Sequence, residues 1–199
     1  MYQPLPSFPP LYAPGAWWRI HVASLLDGRS NEEATGIANR SAGIKPREWM
    51  RIRVEGDAVL SLPVDGGASA LKNRHPDSWR MAGEAGRDLR KIHSTLNTLY
   101  GRTPYYFLLE DSLNAEGAPG DRAKDVCTRA YKRIKAILGL DDSGLVKDIR
   151  RELERGSETL LALYNEKAKA FSPSLSIIDT IVRIGPDAIF ALLPTYKTK

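Results

Sequence analysis

Three cations in the first third of the chain could together hold an anionic ligand. Arg51 and Arg53 stand two residues apart in a predicted strand, so their side chains point to the same face of it. Lys45 precedes them in a loop. Converging guanidinium and ammonium groups bind phosphate or carboxylate, and arginine does so with two parallel hydrogen bonds. We therefore predict Lys45 and Arg51 as substrate-binding residues. The alternative is a solvated outer face of the hairpin.

A second candidate site lies at residues 100–106, where a predicted helix ends. Tyr100, Arg102, Tyr105 and Tyr106 follow one another closely there. Aromatic rings with a guanidinium group can stack a base or a sugar. Loops at helix ends often carry binding residues, so we expect Tyr100 and Arg102 to contact substrate. A hydrophobic plug that fixes the turn is an equally good interpretation.

Two residues are candidates for acid–base catalysis. The ordinary pKa of His93 suits a general base, although a histidine at the boundary of an apolar helix face is more often structural. Asp179 could act as a catalytic acid. It also completes a capping box in which Ser176 caps the amide of Asp179 and the carboxylate reaches back to the amide of Ser176.

Familiar metal and cofactor motifs are missing from the sequence. His21, His75, His93 and Cys127 show no metal-ligand spacing. There is no nucleophile elbow, no phosphate-binding P-loop and no dinucleotide fingerprint. We expect neither a metal nor a cofactor.

The sequence also bears on where the protein resides. One cysteine, Cys127, excludes an intramolecular disulfide and favours a reducing compartment. Residues 1–10 lack the basic start and apolar run of a signal peptide. Residues 175–193 are apolar but include charged residues and proline, which argues against a membrane span. We expect a cytoplasmic protein, and its oligomeric state is open.

The net charge of +5 is concentrated in one segment. Residues 72–102 contain seven lysines and arginines against three acidic residues. A solvated basic helix face would account for this excess. The segment could instead bind a phosphate-bearing ligand or nucleic acid.

The pattern of apolar residues predicts a helix-rich α/β protein in a single domain over residues 1–199. Residues 1–16 are proline-rich and read as an extended arm. The part at 17–70 contains a β-hairpin over 50–64, where apolar and polar residues alternate, while 17–26 could be strand or helix. The part at 77–193 is helical, with several helices packing on the small sheet.

Four helices are expected in that helical part. The first begins near residue 77 and the second covers 121–138. The third begins at 142 or 143, is weakened by Gly156 and continues beyond it. The fourth begins at Ser176, and a short helix restarts after it at Gly185-Pro186.

Several short blocks, in order, resemble the bacterial WbqC-like family. They are the opening from Gln3 to Pro10, Lys45 and Arg51, Leu60–Val64 (LSLPV), Tyr100 with Pro104–Tyr106, Leu175–Asp179 (LSIID) and Gly185-Pro186. The likeness touches nearly the whole chain.

WbqC-like proteins are associated with bacterial surface-polysaccharide gene clusters and are suspected of a transfer step on an amino sugar. The resemblance thus implies a transferase that acts on a phosphate-bearing sugar, sugar nucleotide or nucleotide, by group transfer to an amine or hydroxyl. A nucleic-acid-binding or nucleic-acid-modifying protein that uses residues 72–102 is the alternative. A non-catalytic interaction protein is a further one.

Overall fold

The computed structural model describes residues 5–113 and 118–194. Within these ranges ten α-helices and two short strands follow one another. In chain order they are α1 (Gly15–Leu26), α2 (Asn31–Ser41), β1 (Arg51–Arg53), β2 (Val59–Ser61), α3 (Gly67–Asn73), α4 (Ala85–Tyr100), α5 (Phe107–Leu113), α6 (Ala123–Ile137), α7 (Ser143–Glu154), α8 (Glu158–Lys167), α9 (Ile177–Ile184) and α10 (Ala188–Ala191). The expected helix-rich class, with a small sheet in the amino-terminal half, is confirmed.

The sheet is an antiparallel hairpin of β1 and β2. Arg51 pairs with Ser61, Ile52 with Leu60 and Arg53 with Val59. Ile52 is buried while the two arginines are exposed, as alternation along a strand requires. The hairpin is confirmed, but its regular pairing is shorter than the predicted 50–64.

Residues 17–26, for which the sequence allowed either a strand or a helix, belong to helix α1. Trp17, Trp18 and Val22 are almost fully buried, so apolar side chains surround much of the helix. A helix that is apolar nearly all round must lie inside the protein. It packs against α2, whose first turn is fixed by a capping box between Ser30 and Glu33.

The described part of the proline-rich arm lies on the body of the protein. Leu11 is fully buried, and its amide donates to the Trp49 carbonyl at 2.9 Å. The side-chain amide of Asn39 donates to the carbonyls of Pro6 and Phe8. These bonds satisfy backbone acceptors of a segment that has no regular structure of its own.

Two predicted helices have different bounds in the structure. Helix α4 starts at Ala85 rather than near residue 77, because Pro76–Ser78 forms a 3₁₀ turn and Met81 pairs with Val64 in an isolated bridge. The helix expected to continue past Gly156 ends there. Gly156 adopts φ +66°, and the Ser157 hydroxyl caps the start of α8.

The segment that leads into α9 joins three parts of the chain. The Ser176 amide donates to the Arg53 carbonyl at 2.7 Å, and the Ile177 amide donates to the Ala13 carbonyl at 3.1 Å. Ile177, Ile178 and Ile181 are fully buried in a core that runs from Phe8 to Leu193. The segment therefore connects strand β1 and the proline-rich arm, through these hydrogen bonds, to the same core helix.

None of the described helices combines the length and the apolar character that a bilayer crossing requires.

A substitution at Gly185, between α9 and α10, tests how tightly the chain is packed where α9 ends. It has φ +62°, and a Cβ there would lie 2.7 Å from the Tyr105 ring. We expect Gly185→Ala to lower the free energy of unfolding by about 2 kcal/mol or more, through backbone strain and steric overlap. Urea denaturation measures this.

Gly56→Ala is the comparison at an open site, since Gly56 has the left-handed φ +74° and ψ +23° and no neighbour within 4 Å of an added Cβ. Gly185, with ψ −142°, differs from it in both backbone conformation and packing. We expect it to lose only about 1 kcal/mol. Equal losses in both variants would show that neither the backbone conformation of Gly185 nor its contact with Tyr105 adds to the cost.

Candidate functional site

The structure distributes the predicted site residues over several places. Tyr100 and Asp179 touch each other in the interior, whereas Lys45 and Arg51 line two different cavities. The expected convergence of Lys45 with the arginines of β1 on one cavity is therefore wrong. The 3₁₀ turn at Pro46–Glu48, which follows Lys45, contributes residues to both cavities.

Asp179 is the centre of a buried polar network. Its Oδ1 accepts hydrogen bonds from the Tyr100 hydroxyl at 3.1 Å and from Arg183 Nη2 at 3.2 Å. The Tyr100 oxygen in turn accepts from the Glu55 amide at 2.9 Å, and Arg183 also pairs with the Glu55 carboxylate at 2.9 Å. A buried carboxylate requires such donors, because an unpaired charge in the interior is costly.

The predicted capping box at the start of α9 forms only in part. The Ser176 hydroxyl accepts from the Ile178 amide rather than from the Asp179 amide, and donates to the Tyr12 carbonyl at 2.8 Å. Asp179 does not reach back to the Ser176 amide, because that amide already donates to the Arg53 carbonyl. The carboxylate is therefore available to Tyr100.

Both members of the Tyr100–Asp179 pair are buried. Tyr100 is fully buried and Asp179 is 3% exposed. Burial first, and then the nearby Asp179 and Glu55 carboxylates, raise the pKa of Tyr100, so its hydroxyl remains a proton donor. Because both side chains are buried and their hydrogen bonds are made within the fold, a structural role accounts for them. Their substrate-binding and catalytic roles stay predictions.

His93 and Arg102 remain separate from this network. His93 is half-buried on α4, and its Nε2 has no hydrogen-bond partner in the described residues. Arg102 is exposed just after α4, and no ion pair involving it is found in the described part of the chain. Their catalytic and binding roles stay predictions.

The first of the two cavities, which we name the arginine groove, has a volume of about 410 Å³. Its lining comprises Pro14, Ala16, Ala42, Gly43, Ile44, Glu48, Arg51, Arg53, Pro173 and Ser174. Arg53 Nη2 pairs with Glu48 Oε1 at 3.1 Å. Arg51 has no hydrogen-bonding or ionic side-chain partner among the described residues, so it is the cation that remains available to a ligand.

The second cavity, the lysine groove, has a volume of about 430 Å³ and is lined by Lys45, Pro46, Arg47, Ala68, Leu71 and Lys72. Its three cations are exposed, and the lining contains no carboxylate. The groove forms because α3 packs against the turn Pro46–Glu48. Sequence reasoning missed Arg47 and the place of Lys72, since 27 residues separate Lys45 from Lys72.

Most other cations of the basic segment have partners within the fold. On α4, Arg87 pairs with Glu84 and Lys91 pairs with Asp88. Arg80 donates to the Gly120 carbonyl. Within the described residues, the charge excess of residues 72–102 is therefore partly compensated, and Lys72 is the one cation of the segment that lines either of the two grooves.

A buried histidine that sequence reasoning did not single out lies among aromatic rings. His21 stacks on Trp17 with ring centroids 4.9 Å apart, and its Nε2 lies 3.0 Å from the Tyr131 hydroxyl. Burial lowers the pKa of His21 to about 4; Lys135 adds to this effect, and the Ala34 backbone opposes it. The ring is neutral at pH 7 and serves packing.

The described residues contain no group of three or more histidine, cysteine, aspartate or glutamate side chains placed to hold a metal ion. No protein-family model, curated protein or solved structure matches the chain. The resemblance to WbqC-like proteins thus rests on the short blocks in the sequence.

Tyr100→Phe tests whether the network stabilises the fold. Loss of the hydroxyl leaves the buried Asp179 carboxylate and the Glu55 amide each one hydrogen bond short. We expect the free energy of unfolding to fall by about 2 kcal/mol in chemical denaturation. Tyr105→Phe, whose hydroxyl has no hydrogen bond within the described residues, should change it by less than about 0.5 kcal/mol. Similar losses in the two variants would contradict a stabilising network.

His21 should make stability depend on pH. Because folding lowers its pKa from 6.5 to about 4, protonation favours the unfolded chain. Its contribution is present above pH 6.5 and is lost as the pH falls towards 4. Between pH 7.5 and pH 5 the loss from this group is about 2 kcal/mol.

His21→Gln should remove that part of the pH dependence, measured as unfolding free energy at each pH, whatever its effect at pH 7.5. A His21→Gln variant with an unchanged pH profile would show that the buried imidazole is not responsible.

Proposed function

We propose that the protein binds a phosphate-bearing sugar, sugar nucleotide or nucleotide in the lysine groove. The observation that carries this proposal is the composition of the lining. Three cations from two separate segments surround an apolar floor, and no acidic side chain of the lining neutralises them.

The charge of the groove suits a ligand with more than one negative charge. Lys45, Arg47 and Lys72 bring a formal charge of +3, which complements a diphosphate. Arginine can bind phosphate oxygens with two hydrogen bonds, while lysine acts as a point charge. All three are exposed, so salt weakens their attraction for the ligand.

The floor of the groove suits the uncharged part of such a ligand. Leu71, Ala68 and Pro46 present apolar surface on which a base or the apolar face of a sugar can lie. The volume of about 430 Å³ falls in the range of small-molecule sites, about 300–1,000 Å³. The groove thus combines a few polar groups with an apolar wall, as ligand sites commonly do.

Group transfer to an amine or hydroxyl belongs to the same proposal and is supported by the resemblance to WbqC-like proteins. The lining contains no histidine or carboxylate that could act as a general base. We assign to Lys45, Arg47 and Lys72 the binding of the phosphate. In the transfer, the acceptor nitrogen or oxygen bonds to the transferred group as the bond from that group to the phosphate oxygen breaks, and the acceptor proton passes to water. The three cations stabilise the charge on the departing phosphate.

Calorimetric titration of ADP and UDP-glucose into the protein at 50 mM and 200 mM salt tests the proposal. We expect binding that weakens moderately with salt, and about a tenfold or greater loss of affinity in Lys72→Gln, because a charge-assisted contact is removed. Lys132→Gln removes the same charge from an exposed position on α6 and should bind as the wild type does.

Two results would count against the proposal. Equal affinities in Lys72→Gln and Lys132→Gln would show that the groove is not the site. A single-stranded oligonucleotide that binds much more tightly than ADP, with a steep loss of affinity in salt, would favour the nucleic-acid alternative.

A further inference from the structure

The arginine groove differs from the lysine groove in both charge and lining. Five of its lining residues, Pro14, Ala16, Ala42, Ile44 and Pro173, have apolar side chains. They come from the start of α1, the loop after α2 and the loop before α9. Three separate segments thus enclose one apolar trough beside strand β1.

The ionic groups of the arginine groove leave one net positive charge. Arg53 and Glu48 form an ion pair at 3.1 Å that carries no net charge, although the Glu48 carboxylate still lines the groove. Arg51 stands on the same face of β1 as Arg53, two residues away, and its guanidinium group has no hydrogen-bonding or ionic partner in the described residues. A single available guanidinium beside an apolar trough is complementary to a single negative charge on an apolar body.

We propose that the arginine groove binds an organic monocarboxylate. Arg51 holds the carboxylate with two parallel hydrogen bonds, and the apolar body lies against Ile44, Ala42 and Pro173. This is a second ligand class at a second site. It goes beyond the phosphate-bearing ligand of the lysine groove and does not depend on it.

The Glu48 carboxylate explains why a monoanion fits better than a phosphate ester. It lines the groove and pairs with Arg53, so a dianion placed at Arg51 meets a negative charge close by. A monocarboxylate is repelled less and also matches the planar fork of the guanidinium. Glu48 thereby acts as a selectivity element between two kinds of anion.

Four probes with the same six-carbon body separate the contributions of charge and apolar surface. They are hexanoate, hexylamine, hexanol and hexyl phosphate, titrated at millimolar concentration and followed by NMR chemical shifts of the protein. We expect hexanoate to bind most tightly, hexyl phosphate and hexanol more weakly, and hexylamine not to bind.

Arg51→Gln should weaken hexanoate binding about 10- to 100-fold, because a charge-assisted contact is removed. Arg90→Gln, at an exposed position on α4, removes the same charge elsewhere and should bind hexanoate normally. Glu48→Gln should shift the preference towards hexyl phosphate, since it raises the net charge of the groove from +1 to +2.

Equal binding of hexanoate and hexylamine, or unchanged hexanoate binding in Arg51→Gln, would overturn the proposal. If Glu48→Gln fails to fold, Arg51→Gln alone decides. Lys72→Gln should leave hexanoate binding intact, so failure of the lysine-groove proposal and failure of this one give different results.

Discussion

The placement of the candidate site depends on the buried carboxylate of Asp179 and on the amide just before its helix. Asp179 must be paired because its charge is removed from water, and its donors come from the end of α4 and from α9 itself. The Tyr100 hydroxyl oxygen in turn accepts a hydrogen bond from the Glu55 amide, and this bond fixes the turn of the hairpin. The Ser176 amide donates to the Arg53 carbonyl at the same, carboxyl-terminal end of β1. The carboxyl-terminal end of strand β1, where the chain turns towards β2, is thus held by Tyr100 and by the residue before α9.

This anchoring determines what the hairpin can present to a ligand. With Ile52 buried, Arg51 and Arg53 must both face outward, and the loop before α9 then closes the trough beside them. The turn Pro46–Glu48 separates this trough from the lysine groove. Glu48 faces the arginines, whereas Arg47 lines the opposite cavity. One short turn therefore gives two neighbouring cavities different charges.

Features that depend on neighbours in sequence could be predicted, and features that depend on distant partners could not. The exposed face of β1 follows from the local alternation of apolar and polar residues. The role of Asp179 does not follow from the local sequence, because its partner Tyr100 lies 79 residues away and competes with the local cap. The local pattern also did not decide whether residues 17–26 form a helix or a strand, because an apolar run becomes one or the other according to what packs around it.

The same distinction explains why net charge was a poor guide to the site. On α4, Arg87 and Lys91 each follow an acidic residue by three positions, so the helix itself neutralises them. Helix α3 has no acidic residue, and Lys72 therefore keeps its charge for the groove. What makes a cation available is the absence of a local counter-ion together with a tertiary contact that brings a second cation near. By this criterion the cations available to a ligand are Lys72, Lys45 and Arg47 in the lysine groove. Arg51 in the other groove meets only the first condition, the absence of a counter-ion.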